Sequence, residues 1–172
     1  MEASAKRGAL EGIGFGLIAG VIMAIAMVVG FAAVGEPPIN VFRLISSLVL
    51  GQEALTRTSV GNAIAIGTLV HLCIAGFFGL IYGLISSSFP RDWQTDWARQ
   101  TGLGAGYGAA IYLLTVQLIA RGRFPWWLDA PQFPIFAIHV LFYGLPLGLM
   151  YVAAERRAHH LPMGPTAAGG AV

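Results

Sequence analysis

Charge is what this chain has least of. Asp, Glu, Lys and Arg make up 10% of its 172 residues, against about 25% in a soluble domain. With 56% hydrophobic residues and a mean hydropathy of +0.73, the chain carries more apolar surface than a single soluble core can hide, which argues against a water-soluble enzyme. Disorder is excluded by the same numbers, because it needs low hydrophobicity and high net charge. A single cysteine, Cys73, excludes a disulfide framework and a cysteine-based zinc module. The 23 glycines follow no strict period of three, so a collagen-like chain is excluded. There is no P-loop, no His-Glu-x-x-His zinc helix and no Gly-x-Ser-x-Gly elbow, and the run Gly12-Ile13-Gly14-Phe15-Gly16 lacks the preceding strand that a dinucleotide loop requires. What remains is an integral membrane protein whose first partner is the lipid bilayer, with nothing directing it to nucleic acid.

The charges that are present fall in clusters, and between them lie four uncharged runs, residues 12–35, 58–90, 100–120 and 130–154, each at least 21 residues long. About 20 apolar residues are needed to cross the hydrocarbon layer as a helix, and a spanning segment must satisfy its own backbone. The sequence therefore predicts four spanning helices, over roughly 10–34, 61–86, 101–120 and 134–154. A β-barrel would show alternating segments of about ten residues, whereas runs such as Leu17 to Ile25 are continuously apolar. Lys6 and Arg7 precede the first run as in a signal peptide, but its apolar stretch exceeds the 7–15 residues of a signal core, so it is read as a retained helix.

Flanking cations set the orientation. Lys6, Arg7, Arg91, Arg99, Arg156 and Arg157 lie on the side of the termini, and Arg43, Arg57, Arg121 and Arg123 on the other. The excess places both termini in the cytoplasm. Trp93 and Trp97 mark one interface and Trp126 and Trp127 the other. The long first connection opens on Glu36-Pro37-Pro38, which ends the first helix. It continues into an amphipathic pattern over about 39–50 with Arg43, Ser46 and Ser47 on the polar side, expected to lie in the interface. Asp96 and Arg99 are expected to pair near the surface. Residues 1–157 form one domain, and 158–172 are expected to be a flexible tail.

Motifs recur in order. Gly12-Ile13-Gly14-Phe15-Gly16 is echoed by Gly102-Leu103-Gly104-Ala105-Gly106, and His71 to Gly76 followed by Gly79-Leu80-Ile81-Tyr82 is echoed by His139 to Gly144 followed by Gly148-Leu149-Met150-Tyr151. The expected architecture is thus an all-α four-helix membrane bundle built from two tandem two-helix repeats, related by a pseudo-two-fold axis along the membrane normal. Gly12, Gly16, Gly20 and Ala24, likewise Gly102, Gly106 and Ala110, and also Gly104 and Gly108, fall on i, i+4 faces that let helix backbones approach closely. The expectation is that helices one and three form the tight central contact, with small-residue faces left over for a partner subunit or self-association.

Within the four runs no Asp, Glu, Lys or Arg occurs, which disfavours an ion-coupled transporter. The exceptions among titrating side chains are His71 and His139, which the repeat places at similar depth. Two imidazoles facing across an axis suit the axial ligation of a b-type haem. Zinc is disfavoured because only Cys73 is near, and it points to another helix face. The competing reading makes both histidines hydrogen-bonding clamps, each worth about 0.6 kcal/mol, with Thr68, Gln117 and Tyr143 as their neighbours. His159 and His160 are expected to be solvated.

The His-x-x-x-x-Gly spacing of His71–Gly76 and His139–Gly144, each followed by Gly-Leu-x-Tyr, together with Phe136-Ala137-Ile138-His139, resembles an uncharacterised family of small bacterial four-span membrane proteins over residues 10–153. The resemblance implies a bacterial plasma-membrane location and no particular activity. Three functions are carried forward, in this order: a non-catalytic subunit of a larger membrane complex such as a respiratory or photosynthetic electron-transfer assembly; a haem b electron carrier using His71 and His139; and a transporter of a small apolar molecule or lipid between the repeats. The third would be favoured by an apolar cavity between the hairpins.

Overall fold

The computed structural model describes residues 2–161; the segment expected to be a flexible tail lies outside them from residue 162 onward. The described chain is helical, without strands. Five helices organise it: α1 (Glu2–Ala33), α2 (Ile39–Leu50), α3 (Val60–Ser87), α4 (Trp97–Arg123) and α5 (Gln132–Ala158). Of these, α1, α3, α4 and α5 are long and apolar enough to cross a membrane. Their outward residues include Leu118, Leu69 and Phe133, at 68%, 64% and 77% exposure, which in water would be costly and against acyl chains is not.

The helix ends do not coincide with the ends of the uncharged runs, because ends are set by capping. Ser59 caps α3 by accepting the Asn62 N–H, and Asp96 caps α4 by accepting the Arg99 N–H at 2.8 Å. Asp96 is thereby a cap and not the ion partner of Arg99. The Arg99 guanidinium instead pairs with Asp92 at 3.0 Å and lies over the Trp93 ring. α1 ends where Gly35 takes a positive φ of 80° and the Glu36 N–H returns to the Phe31 carbonyl.

The expected contact between helices one and three is replaced by two glycine-lined hairpins. α1 packs along α3, and a methyl group on Gly16 would lie 2.6 Å from the Ala75 carbonyl oxygen, and one on Gly79 2.6 Å from the Gly16 Cα. α4 packs along α5 in the same manner, where a methyl on Gly104 would lie 2.9 Å from the Gly148 backbone nitrogen and one on Gly108 3.0 Å from the Val140 Cα. Small residues let backbones meet in each hairpin, but the second uses Gly104 and Gly108. Gly102 and Gly106 point to open space. A pattern of alternate glycines contains two i, i+4 faces, and only the partner helix selects between them.

Tyrosines join the hairpins. Tyr82 donates to the side-chain oxygen of Gln100 at 2.9 Å, Tyr107 to the Phe78 carbonyl at 2.7 Å, Tyr143 to the Ala75 carbonyl at 2.6 Å and Tyr151 to the Gly8 carbonyl at 2.7 Å. The rings of Tyr82 and Tyr151 lie 5.1 Å apart at the centre of the bundle. Gln100, almost wholly buried, passes the network on by donating to the Ser86 hydroxyl at 2.9 Å. The four tyrosine hydroxyls and both ends of the Gln100 amide each have a partner, which is the condition for burying them at low cost. At the same end, the buried Arg156 guanidinium donates to the Thr95 carbonyl at 2.7 Å.

α2 reverses part of its expected polarity. Ser46 and Ser47 are fully buried while Val49 is 66% exposed. The serines are accommodated because each hydroxyl donates to a carbonyl one turn back, Ser46 to Arg43 and Ser47 to Leu44, and the Trp126 indole N–H then donates to the Ser47 oxygen at 2.8 Å. α2 lies across α3 at Gly67, which meets the backbone of Phe42.

Candidate functional site

Two of the helices are locally unwound toward a wider spiral. α4 is π-helical over Leu113–Ala120, and α5 over His139–Gly144. π-helical turns are uncommon and tend to occur at functional sites. Both border the same space: Thr115, Val116 and Ala120 from one and His139 and Tyr143 from the other line a cavity of about 120 Å³ between the two hairpins. Met23 and Met27 of α1, Leu48 of α2 and Phe78 of α3 complete an almost entirely apolar wall, and Trp127 closes it from the loop before α5.

His71 and His139 both line this cavity, so the structure brings together the two residues singled out from the sequence. Their ring nitrogens are used differently. His71 Nε2 bonds the carbonyl oxygen of Gly20 on α1 at 2.8 Å, whereas His139 Nδ1 bonds the carbonyl of Ile135 on its own helix at 2.8 Å. A carbonyl only accepts, so each of these nitrogens carries the proton, and in the neutral ring the other nitrogen is an acceptor. The second nitrogen of each ring has no hydrogen-bond partner and is not sealed from the surrounding space.

The expected neighbours of the histidines have other work. Thr68 is exposed and makes no bond to His71. Gln117 donates to the Tyr112 hydroxyl at 2.6 Å and to the Gln132 side-chain oxygen at 2.9 Å, a cluster that fixes the chain before α5. Tyr143 shares the cavity with His139 but spends its proton on Ala75 of α3. Gly20 meets the site through its carbonyl, which holds His71 Nε2, and Gly108 packs against the backbone of His139. Cys73 is exposed, away from the cavity wall. Among the described residues no three His, Cys, Asp or Glu side chains converge.

The inner cavity by itself is smaller than a haem needs. A cavity of about 120 Å³ is close to the roughly 150 Å³ that takes one benzene ring and below the ~300 Å³ at which drug-sized ligand sites begin; a porphyrin contains four rings in one plane. His71 also has its Nε2 committed to Gly20.

A second space of about 610 Å³ adjoins the first at the end of the bundle away from both termini. Met23, Met27 and Ile135 border both spaces. Its outer wall is polar, with Glu36, Asn40, Arg43 and Asp129. The Asn40 amide donates to Glu36 at 3.2 Å, and the buried Arg43 Nε has no partner. This outer space, here called the vestibule, shares a wall with the inner cavity that includes the two unbranched methionines. Sequence reasoning missed the vestibule and the methionines; the i, i+4 spacing of Met23 and Met27 was the available sign.

Comparison with protein-family models, with curated proteins and with solved structures finds no match for the chain.

Proposed function

We propose that this chain is a multi-pass membrane protein that binds, and serves as a carrier for, a small and mainly apolar molecule held between its two hairpins. The observation that carries the reading is the apolar cavity at the meeting of both π-helical segments, with two imidazoles in its wall. This reverses the order reached from the sequence, where a transporter stood last for want of a cavity. Ligand sites are mostly apolar with a few placed polar groups, and this cavity has that composition. The charge count of the flanks supports cytoplasmic termini, and the family resemblance supports the plasma membrane of a bacterium; the vestibule would then face the outside.

Duplication of a hairpin is part of the proposal. Its support is reciprocal: Tyr82 of the first hairpin donates to Gln100 at the start of α4, and Tyr151 of the second to Gly8 at the start of α1. The spacing from histidine to tyrosine is one residue longer for His139–Tyr151 than for His71–Tyr82; the extra residue falls between Gly144 and Gly148, directly after the π-helical stretch of α5 ends at Gly144.

The test is binding of toluene to the purified protein in nanodiscs, followed by saturation-transfer NMR. Saturable binding is expected in the wild type and its loss in Thr115→Leu, which fills the cavity while sacrificing only a bond to Ile111 in the same helix. Equal, non-saturable partitioning in both proteins would defeat the reading.

A second reading, subunit of a larger membrane complex, is favoured by one feature. Gly102, Gly106 and Ala110 form an exposed i, i+4, i+8 face on α4 with no neighbour at either glycine, the kind of face against which another helix packs. Native extraction in mild detergent, yielding a stoichiometric complex that Gly106→Leu disperses, would support it.

A further inference from the structure

The chemistry of the ligand can be read from which groups in the cavity are still free to bond; this rests on the binding reading given above. The Thr115 hydroxyl donates to Ile111 at 2.7 Å and the Tyr143 hydroxyl to Ala75 at 2.6 Å. His139 donates from Nδ1 to Ile135 and His71 from Nε2 to Gly20. Each of these four groups has thus committed its proton to a backbone carbonyl. What they retain are lone pairs, on His139 Nε2, on His71 Nδ1 and on the two hydroxyl oxygens. With Nδ1 held by its own helix, Nε2 is the ring nitrogen of His139 left free, in a ring that lines the cavity. It is unpartnered in a wall whose remaining residues, apart from His71, Thr115 and Tyr143, are apolar.

We infer that the cavity selects an apolar ring bearing a hydrogen-bond donor, a hydroxyl of the phenol or hydroquinone type, which donates to His139 Nε2. An apolar site that offers an acceptor holds a donor-bearing ligand at the full worth of the bond, because no water competes. A ligand that only accepts, or does neither, leaves the imidazole lone pair unsatisfied, at a cost of the order of the bond itself. The cavity volume of about 120 Å³ admits one six-membered ring, and Met23 and Met27, which border both spaces, are unbranched side chains that can move aside for it. Any further tail of the ligand would extend into the vestibule.

Three monosubstituted benzenes separate the cases. Phenol donates and accepts, anisole only accepts, and toluene does neither. Affinities are measured by saturation-transfer NMR in nanodiscs, each referred to protein-free nanodiscs to remove partitioning. The expected result is that phenol binds about tenfold more tightly than toluene, that anisole is no better than toluene, and that His139→Phe abolishes the phenol preference while retaining saturable toluene binding. Equal binding of all three, or anisole matching phenol, overturns the inference and leaves the binding reading standing. Absence of saturable binding by any of them overturns both. A phenol preference that persists in His139→Phe overturns the assignment to this imidazole. The ranking in the wild type decides the ligand class even if the variant does not fold.

Discussion

His71 on α3 reaches across the first hairpin to the carbonyl of Gly20 on α1, with Nε2 2.8 Å from the oxygen. The approach depends on Gly20 itself, since a methyl group there would lie 2.5 Å from the Ala75 Cβ. One residue thus contributes its missing side chain to packing and its carbonyl to the histidine. Replacing His71 by Ala is expected to lower stability by only about 0.6 kcal/mol, the usual worth of an interhelical bond in a membrane. Reversible unfolding in mixed micelles of SDS measures this; a loss several times larger would mean that the ring holds more than one helix.

The two glycine faces of α4 make opposite predictions. Gly104→Leu and Gly108→Leu force a side chain into the backbone of α5, and overpacking of this kind costs about 1–3 kcal/mol or disrupts the hairpin. Gly102→Leu and Gly106→Leu enter open space and are expected to be neutral for the isolated protein. Thermal unfolding of the four variants in detergent compares them, and equal sensitivity of both faces would contradict the packing described.

Tyr82→Phe removes the donor to Gln100, which is 1% exposed. The buried amide oxygen then has no donor, and a cost of about 1–3 kcal/mol is expected. Tyr82→Phe combined with Gln100→Leu should recover part of the loss, because the stranded group is gone. A double-mutant cycle on unfolding free energies reads this directly.

Trp126→Phe leaves the Ser47 hydroxyl without the indole donor that ties the loop before α5 to α2. Hydrogen–deuterium exchange is expected to rise over residues 39–50 and to remain unchanged in α4. Uniform exchange across the chain would show that the tie is dispensable.

Much of this architecture is legible in the sequence, and the boundary of legibility has a physical cause. Four spans follow from where charge is absent, since lipid rejects charge and demands a self-bonded backbone. The two histidines stand out as the titrating exceptions, and they do share a wall. What the residues alone left open was every question of partner. Alternate glycines serve either of two faces, so the i, i+4 spacing of Gly102 and Gly106 looked as good as that of Gly104 and Gly108 until α5 was seated against one of them. Ser46 and Ser47 read as a polar face because a short hydroxyl signals solvent until a carbonyl one turn back is seen to take its proton. The cavity was hidden for the same reason: the π-helical turns of α4 and α5 and the direction of each imidazole proton depend on which carbonyl lies within reach, and that is settled only when the helices are packed together.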